Sequence, residues 1–94
     1  MHFSWDETKN TVNKNKHKVS FETAKYVFFD HLHVSRQDRF ENGEERWQTI
    51  GMVNGVLLLL VAHTVSSEST GEHIRIISAR PATKYERAIY EKGE

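Results

Sequence analysis

Two β-rich runs, Arg46–Val53 and Val56–Thr64, are separated only by Asn54-Gly55. That dipeptide suits a two-residue type I′ turn, because both turn positions need positive φ. The spacing therefore predicts a β-hairpin and a fold organised around antiparallel pairing. A two-residue turn sets Val53 opposite Val56, Ile50 opposite Leu59, Gln48 opposite Val61 and Arg46 opposite His63. In this register the other face carries Trp47, Thr49 and Gly51 against Leu58, Leu60 and Ala62. Both faces are apolar near the turn, as expected of a central hairpin covered on part of each side, and the open end is polar.

The flanking segments supply the rest of one domain spanning residues 1–94. His2–Trp5 reads as a short edge strand, and Asp6 can cap a helix over Glu7–Lys16. Val12 is the only clearly apolar residue of that helix, so its hold on the core is expected to be light. Ser20 caps a second helix running to Phe29, with Phe21, Ala24, Val27 and Phe28 at helical spacing on its buried stripe. Leu32–Arg36 reads as a short strand followed by a polar loop through Gly43. After the hairpin, Ser66–Gly71 is a turn cluster and Ile74–Ala79 a further strand. Pro81 ends that strand, and Thr83–Lys92 forms a terminal helix carrying Tyr85, Ala88 and Ile89. The order β-α-α-β-β-β-β-α predicts an α+β fold: an antiparallel sheet with two N-terminal helices and one C-terminal helix.

Composition narrows what such a domain can do. Lys and Arg together number 13, as do Asp and Glu, so nucleic-acid binding would have to rest on a local patch. The chain has no cysteine, which removes disulfides, thiolate metal sites and cysteine nucleophiles and suits a reducing compartment. The longest apolar run, Val56–Ala62, is far too short to span a bilayer, and the first residues lack a basic segment followed by an apolar one. These features lead to the expectation of a cytoplasmic protein.

Candidate chemistry collects at the polar end of the hairpin. In the last strand His73, Arg75 and Ile77 alternate with Ile74, Ile76 and Ser78. If His63 lies level with an odd-numbered residue of that strand, Arg46, His63 and Arg75 line one face of three adjacent strands. Two guanidinium groups can grip a phosphate and stabilise a phosphorane, and a neutral imidazole can accept a ribose 2′-hydroxyl proton. The competing reading pairs Arg46 and Arg75 with Glu44, Glu45 or Glu72 on a solvated face. His17 lies in the basic run Lys14, Lys16, His17, Lys18, which suits either a catalytic base beside a phosphate-steering patch or an exposed loop. Trp47 is expected in the core with Leu58 and Leu60 rather than stacked on a base. His31 and His33 share one face of a strand, but the lack of cysteine and of a supporting carboxylate argues against a metal site, and no cofactor is expected.

Several segments, taken in order, resemble the BrnT family of toxins from type II toxin-antitoxin systems. They are Phe3-Ser4-Trp5-Asp6, Lys16-His17 with Val19-Ser20-Phe21-Glu22, Gly43-Glu44-Glu45-Arg46-Trp47 with Ile50-Gly51, and Val61-Ala62-His63-Thr64. The likeness continues through Ile74-Arg75-Ile76-Ile77-Ser78-Ala79-Arg80, Ala82-Thr83, Glu86-Arg87 and Tyr90. Lys18 stands where a glycine usually follows the Lys-His pair, and His31 where a proline usually follows the aspartate. The resemblance implies a RelE-like fold and a metal-independent endoribonuclease that inhibits translation and growth. It also implies neutralisation by a ribbon-helix-helix BrnA-type antitoxin in a 2:2 complex, which alone reaches operator DNA. It places function on His17, Arg46, His63, Arg75, Arg80 and Tyr90, with Lys14, Lys16 and Lys18 contacting RNA. The alternative is a non-cleaving module that acts with its antitoxin as a co-repressor.

Overall fold

The computed structural model describes residues 1–93. Five strands form one sheet: β1 (His2–Ser4), β2 (Val34–Glu41), β3 (Glu44–Val53), β4 (Leu57–Glu68) and β5 (Gly71–Pro81). Their spatial order is β1-β5-β4-β3-β2. Strands β2 to β5 are an antiparallel meander, whereas β1 runs parallel to β5. The sheet is thus mixed rather than wholly antiparallel, because α1 (Glu7–His17) and the turns after it carry the chain back across the sheet before the meander begins. Between Phe21 and Phe29 the expected single helix is one α-helical turn, α2 (Phe21–Ala24), continued as a 3₁₀ segment over Lys25–Phe29. The terminal helix α3 spans Lys84–Lys92.

The strand between Leu32 and Arg36 is longer than expected, and the polar loop is a second hairpin. Asn42 and Gly43 have φ of 54° and 76°, and Glu41 pairs with Glu44 across them. This Asn-Gly, not Asn54-Gly55, closes a two-residue turn with the flanking residues paired. At Asn54-Gly55 the turn positions do have positive φ and the Val56 N–H donates to Val53 O at 3.1 Å. Val56, however, is an extra residue that bulges out exposed, and the ladder starts at Val53–Leu57. Every predicted pair in the β3–β4 hairpin is therefore shifted by one, so Ile50 faces Leu60 and Trp47 faces His63. A one-residue shift moves side chains to the opposite face. Leu58 and Leu60 lie with Ile50 on one side of the sheet, and Trp47 lies on the other, in neither apolar core.

Helices cover part of both faces. Val19, Phe21, Ala24, Val27 and Phe28 pack on Val53, Leu59, Val61, Ile74, Ile76 and Ala79. On the reverse face Ile50, Leu58 and Leu60 meet Met52, Ala82, Ile89 and Tyr90 beneath α3. The 3₁₀ segment lies so close to β3 that a Cβ on Gly51 would stand 2.8 Å from both Cβ and O of Val27, which explains a glycine in mid-strand. Helix α1 is held by amides, not by Val12, which is exposed. Asn10 accepts from the Phe21 N–H and donates to Glu7 and Glu22, while Asn13 donates to Val19 O and Ala79 O and accepts from the Ala79 N–H. Because β1 pairs only with His73–Arg75, Asn13 satisfies the strand edge beyond it as another strand would. Lys18 ends α1 at φ 61°, the left-handed position that favours glycine.

Candidate functional site

Strand alternation and register set out a polar half-face that α3 leaves open. Arg36 pairs with Gln48 and Arg39 with Arg46, while Thr64 pairs with Arg75, and the bulge after Gln37 keeps Arg36 and Arg39 on the same side. Glu44 lies two residues before Arg46 on that side and accepts from Arg75 Nη2 at 2.6 Å. The β3–β4 ladder ends at Trp47–His63, and beyond it Glu44, Thr64, Ser66, His73 and Arg75 line an open cleft of about 320 Å³. Arg39 is ion-paired with Glu41 at 2.8 Å. The Nε of Arg46 is buried and, among the described residues, has no hydrogen-bond partner. A buried donor without a partner is costly.

Arg46 and Arg75 thus share one face of the sheet, but not through the register the sequence suggested: His63 is level with Trp47 and Ile76 and lies on the other face. The one-residue shift in β3–β4 turns His63 to the helical face, where it is 2% exposed with its ring edge-on to Phe28. Its Nε2 is 2.7 Å from Thr49 Oγ1, which is itself 2.7 Å from Ser35 Oγ. Burial pulls the imidazole down to about 4, aided by the charge of His33 and opposed by the carbonyl of Thr64. His63 is neutral at physiological pH but does not face the cleft.

The family model of the ribonuclease toxin BrnT, of type II toxin-antitoxin systems, matches residues 5–86. The chain belongs to the BrnT family. A solved structure of similar fold is the crystal structure of the Brucella abortus ribonuclease toxin BrnT. It aligns with a TM-score of 0.62 at 23% identity, over 89% of this chain and 99% of that one. No curated protein is significantly similar in sequence. Among the described residues no helix is long and apolar enough to cross a membrane.

The remaining residues singled out by resemblance to BrnT lie away from the cleft that Arg75 lines. Arg80 makes a two-pronged pair with Glu86, 2.8 Å at each oxygen, and also donates to Pro81 O. Arg80's hydrogen bonds hold the Glu86 carboxyl down at about 2 against the opposing effect of burial, with the Thr83 N–H contributing. The same Glu86 closes a capping box with Thr83, so Arg80 clamps the start of α3 to the end of β5. Tyr90 donates to Asp30 Oδ2 at 2.6 Å near the Asn54-Gly55 end of the sheet, and this bond together with burial pushes its hydroxyl up to about 12. Burial opposes ionisation of Asp30, yet bonds from Tyr90 and from the N–H groups of Met52 and Leu32 hold its carboxyl below the usual range. His17 and Lys16 border a shallow groove with Val12, Ile77 and Ser78 along the β5 edge, and Lys14 and Lys18 are exposed nearby on α1. His31 and His33 are exposed, and no three His, Asp or Glu side chains converge as a metal ligand set among the described residues.

The sequence reading passed over Glu44 except as an ion-pair partner, and it did not single out His73, Thr64, Arg36 or Arg39. Part of the signal was present: Asn42-Gly43 is the same turn dipeptide as Asn54-Gly55. A hairpin there puts β2 beside β3 and brings Arg39 opposite Arg46.

Proposed function

We propose that this BrnT-family protein is a metal-independent endoribonuclease in which Arg46 and Arg75 bind the scissile phosphate. The observation that carries the reading is the placement of Arg75 on the wall of an open cleft, with Arg46 on the same half-face of the sheet. Attack of a ribose 2′-hydroxyl on the adjacent phosphorus builds negative charge on the equatorial oxygens, and two planar, permanently charged donors stabilise that charge where it develops. Arg36 and Arg39 extend the positive surface along β2 for neighbouring phosphates. Lys14, Lys16 and Lys18, with His17, form a second basic surface at the β5 edge that would contact a longer RNA. On this reading His63, Arg80 and Tyr90 act through the fold, holding the sheet and α3 in place.

We take the fold as RelE-like and the protein as a cytoplasmic inhibitor of translation and growth. Its partner would be a BrnA-type ribbon-helix-helix antitoxin in a 2:2 complex that alone contacts operator DNA. A second reading, a non-cleaving co-repressor with its antitoxin, draws support from the ion pair that already engages Arg75 with Glu44. Incubating the purified protein with total RNA in EDTA, with Arg75→Ala and antitoxin arms alongside, separates the two. Cleavage by the wild type is expected to fall by about 10²-fold or more in Arg75→Ala, the size of losing one transition-state donor, and to stop on antitoxin addition. RNA left intact by the wild type would favour the co-repressor.

A further inference from the structure

We propose that Glu44 and His73 are the acid–base pair of the cleft, Glu44 taking the 2′-hydroxyl proton and His73 protonating the leaving 5′-oxygen. The inference rests on the ribonuclease reading above. Both side chains line the cleft, from β3 and from β5, with β4 between them. At least two strand spacings, about 10 Å, separate their backbones, because the β3–β4 ladder has already ended at this level. The cleft between them, about 320 Å³, leaves room for a phosphate, as in-line displacement requires of its base and acid. Glu44 is held by Arg75 at 2.6 Å, and its side chain is 45% exposed, so a ligand can reach it. Glu45, the neighbouring carboxylate, also borders the cleft but is engaged by Gln37 at 2.8 Å.

His73 is oriented from both ends of its ring. Nε2 lies 2.7 Å from Ser4 Oγ and Nδ1 lies 3.3 Å from Glu68 Oε2, while Ser66 is its partner on β4. A carboxylate on Nδ1 fixes the orientation of the imidazole, and Nε2 gives its proton to the leaving oxygen in exchange for its hydrogen bond with Ser4 Oγ. The charged and titratable groups around Glu44 are Arg75 on β5, Arg46 on its own strand, and Glu41 with its partner Arg39 on β2. Those around His73 are Glu68 on β4, Arg75 and Glu72 on its own strand, and His2, its pair on β1.

The step balances without a further reactant. A 2′-oxygen lone pair forms the new P–O bond as its proton passes to the Glu44 carboxylate. The P–O5′ bond then breaks with its electron pair on O5′, which takes the Nε2 proton of the His73 imidazolium. The products are a 2′,3′-cyclic phosphate and a 5′-hydroxyl, and Arg46 and Arg75 hold the phosphoryl oxygens throughout.

The test uses the purified protein in EDTA with two substrates, RNA and uridine 3′-(4-nitrophenyl phosphate), whose leaving group needs no proton. Glu44→Gln, Glu44→Asp and His73→Gln are compared with the wild type from acid to alkaline pH, and thermal melting checks that each variant folds. Glu44→Gln is expected to lose about 10²- to 10⁴-fold on both substrates and to lose the acid limb of the pH–rate profile, with Glu44→Asp recovering part of the rate. His73→Gln is expected to lose a similar factor and the alkaline limb on RNA, and far less on the nitrophenyl ester. A folded Glu44→Gln that cleaves RNA at the wild-type rate would overturn the base, and equal losses of His73→Gln on both substrates would overturn the acid. A wild type inert on both substrates would instead remove the ribonuclease reading itself.

Discussion

Burial keeps the His63 imidazole neutral down to about pH 4, whereas in the unfolded chain it titrates near 6.5. Its contribution to stability is therefore complete above about pH 6.5. As the pH falls toward 4, the unfolded chain binds a proton that the fold excludes, and about 3 kcal/mol is lost. Urea unfolding of the wild type should show that decline, and His63→Gln should flatten it; a slope that survived the substitution would belong to another group. The loss from Glu86 follows at lower pH, between about 4.5 and 2, where the unfolded carboxyl binds a proton that the folded one, held at about 2, does not. At this scale the sequence pointed to His63 and Arg46 as residues of interest but misjudged their relation. Whether a histidine in a strand is a base in a cleft or a buried hydrogen-bonding residue depends on a one-residue bulge at Val56, and no local preference sets that bulge.

Secondary-structure elements show the same division. The limits of α1 were legible from Asp6 and the change in composition after it, predicted as Glu7–Lys16 and found as Glu7–His17. What holds α1 was not legible, because the one apolar residue, Val12, faces out while two asparagines are buried. Periodicity of apolar residues signals helix burial only when the helix is held by apolar contacts. Asn13→Ala should therefore cost about 2–3 kcal/mol by stranding the Val19 and Ala79 backbone groups it satisfies. Val12→Ser should stay within about 0.5 kcal/mol as an exposed substitution. Urea denaturation of the two variants checks both, and the reverse ranking would show that α1 is held by its apolar residue after all. In α3, the Ile89 contact followed from sequence, whereas the Thr83 capping box was found only in the structure, and the clamp between Arg80 and Glu86 joins two elements and appears only when β5 and α3 are brought together.

Over the whole molecule, formal charge sums to zero, so attraction for RNA depends on how the sheet sorts its charges. Binding of a non-cleavable RNA should weaken steeply with salt, and Arg46→Ala should reduce the slope of log K against log salt by about one if that guanidinium meets a phosphate. An unchanged slope would place the RNA elsewhere, for example on the lysines of α1. The sequence by itself determined the α+β class, the strand-rich centre, the three helical regions and the edge position of β1, because periodicity, caps and turn dipeptides are local. Tertiary structure alone decided the parallel pairing of β1 with β5, the face His63 occupies, the ion pairs of Arg75 and Arg80 and the convergence of Glu44 with His73. Each of these depends on register between strands distant in sequence, and a shift of one residue reverses the face of every side chain it moves.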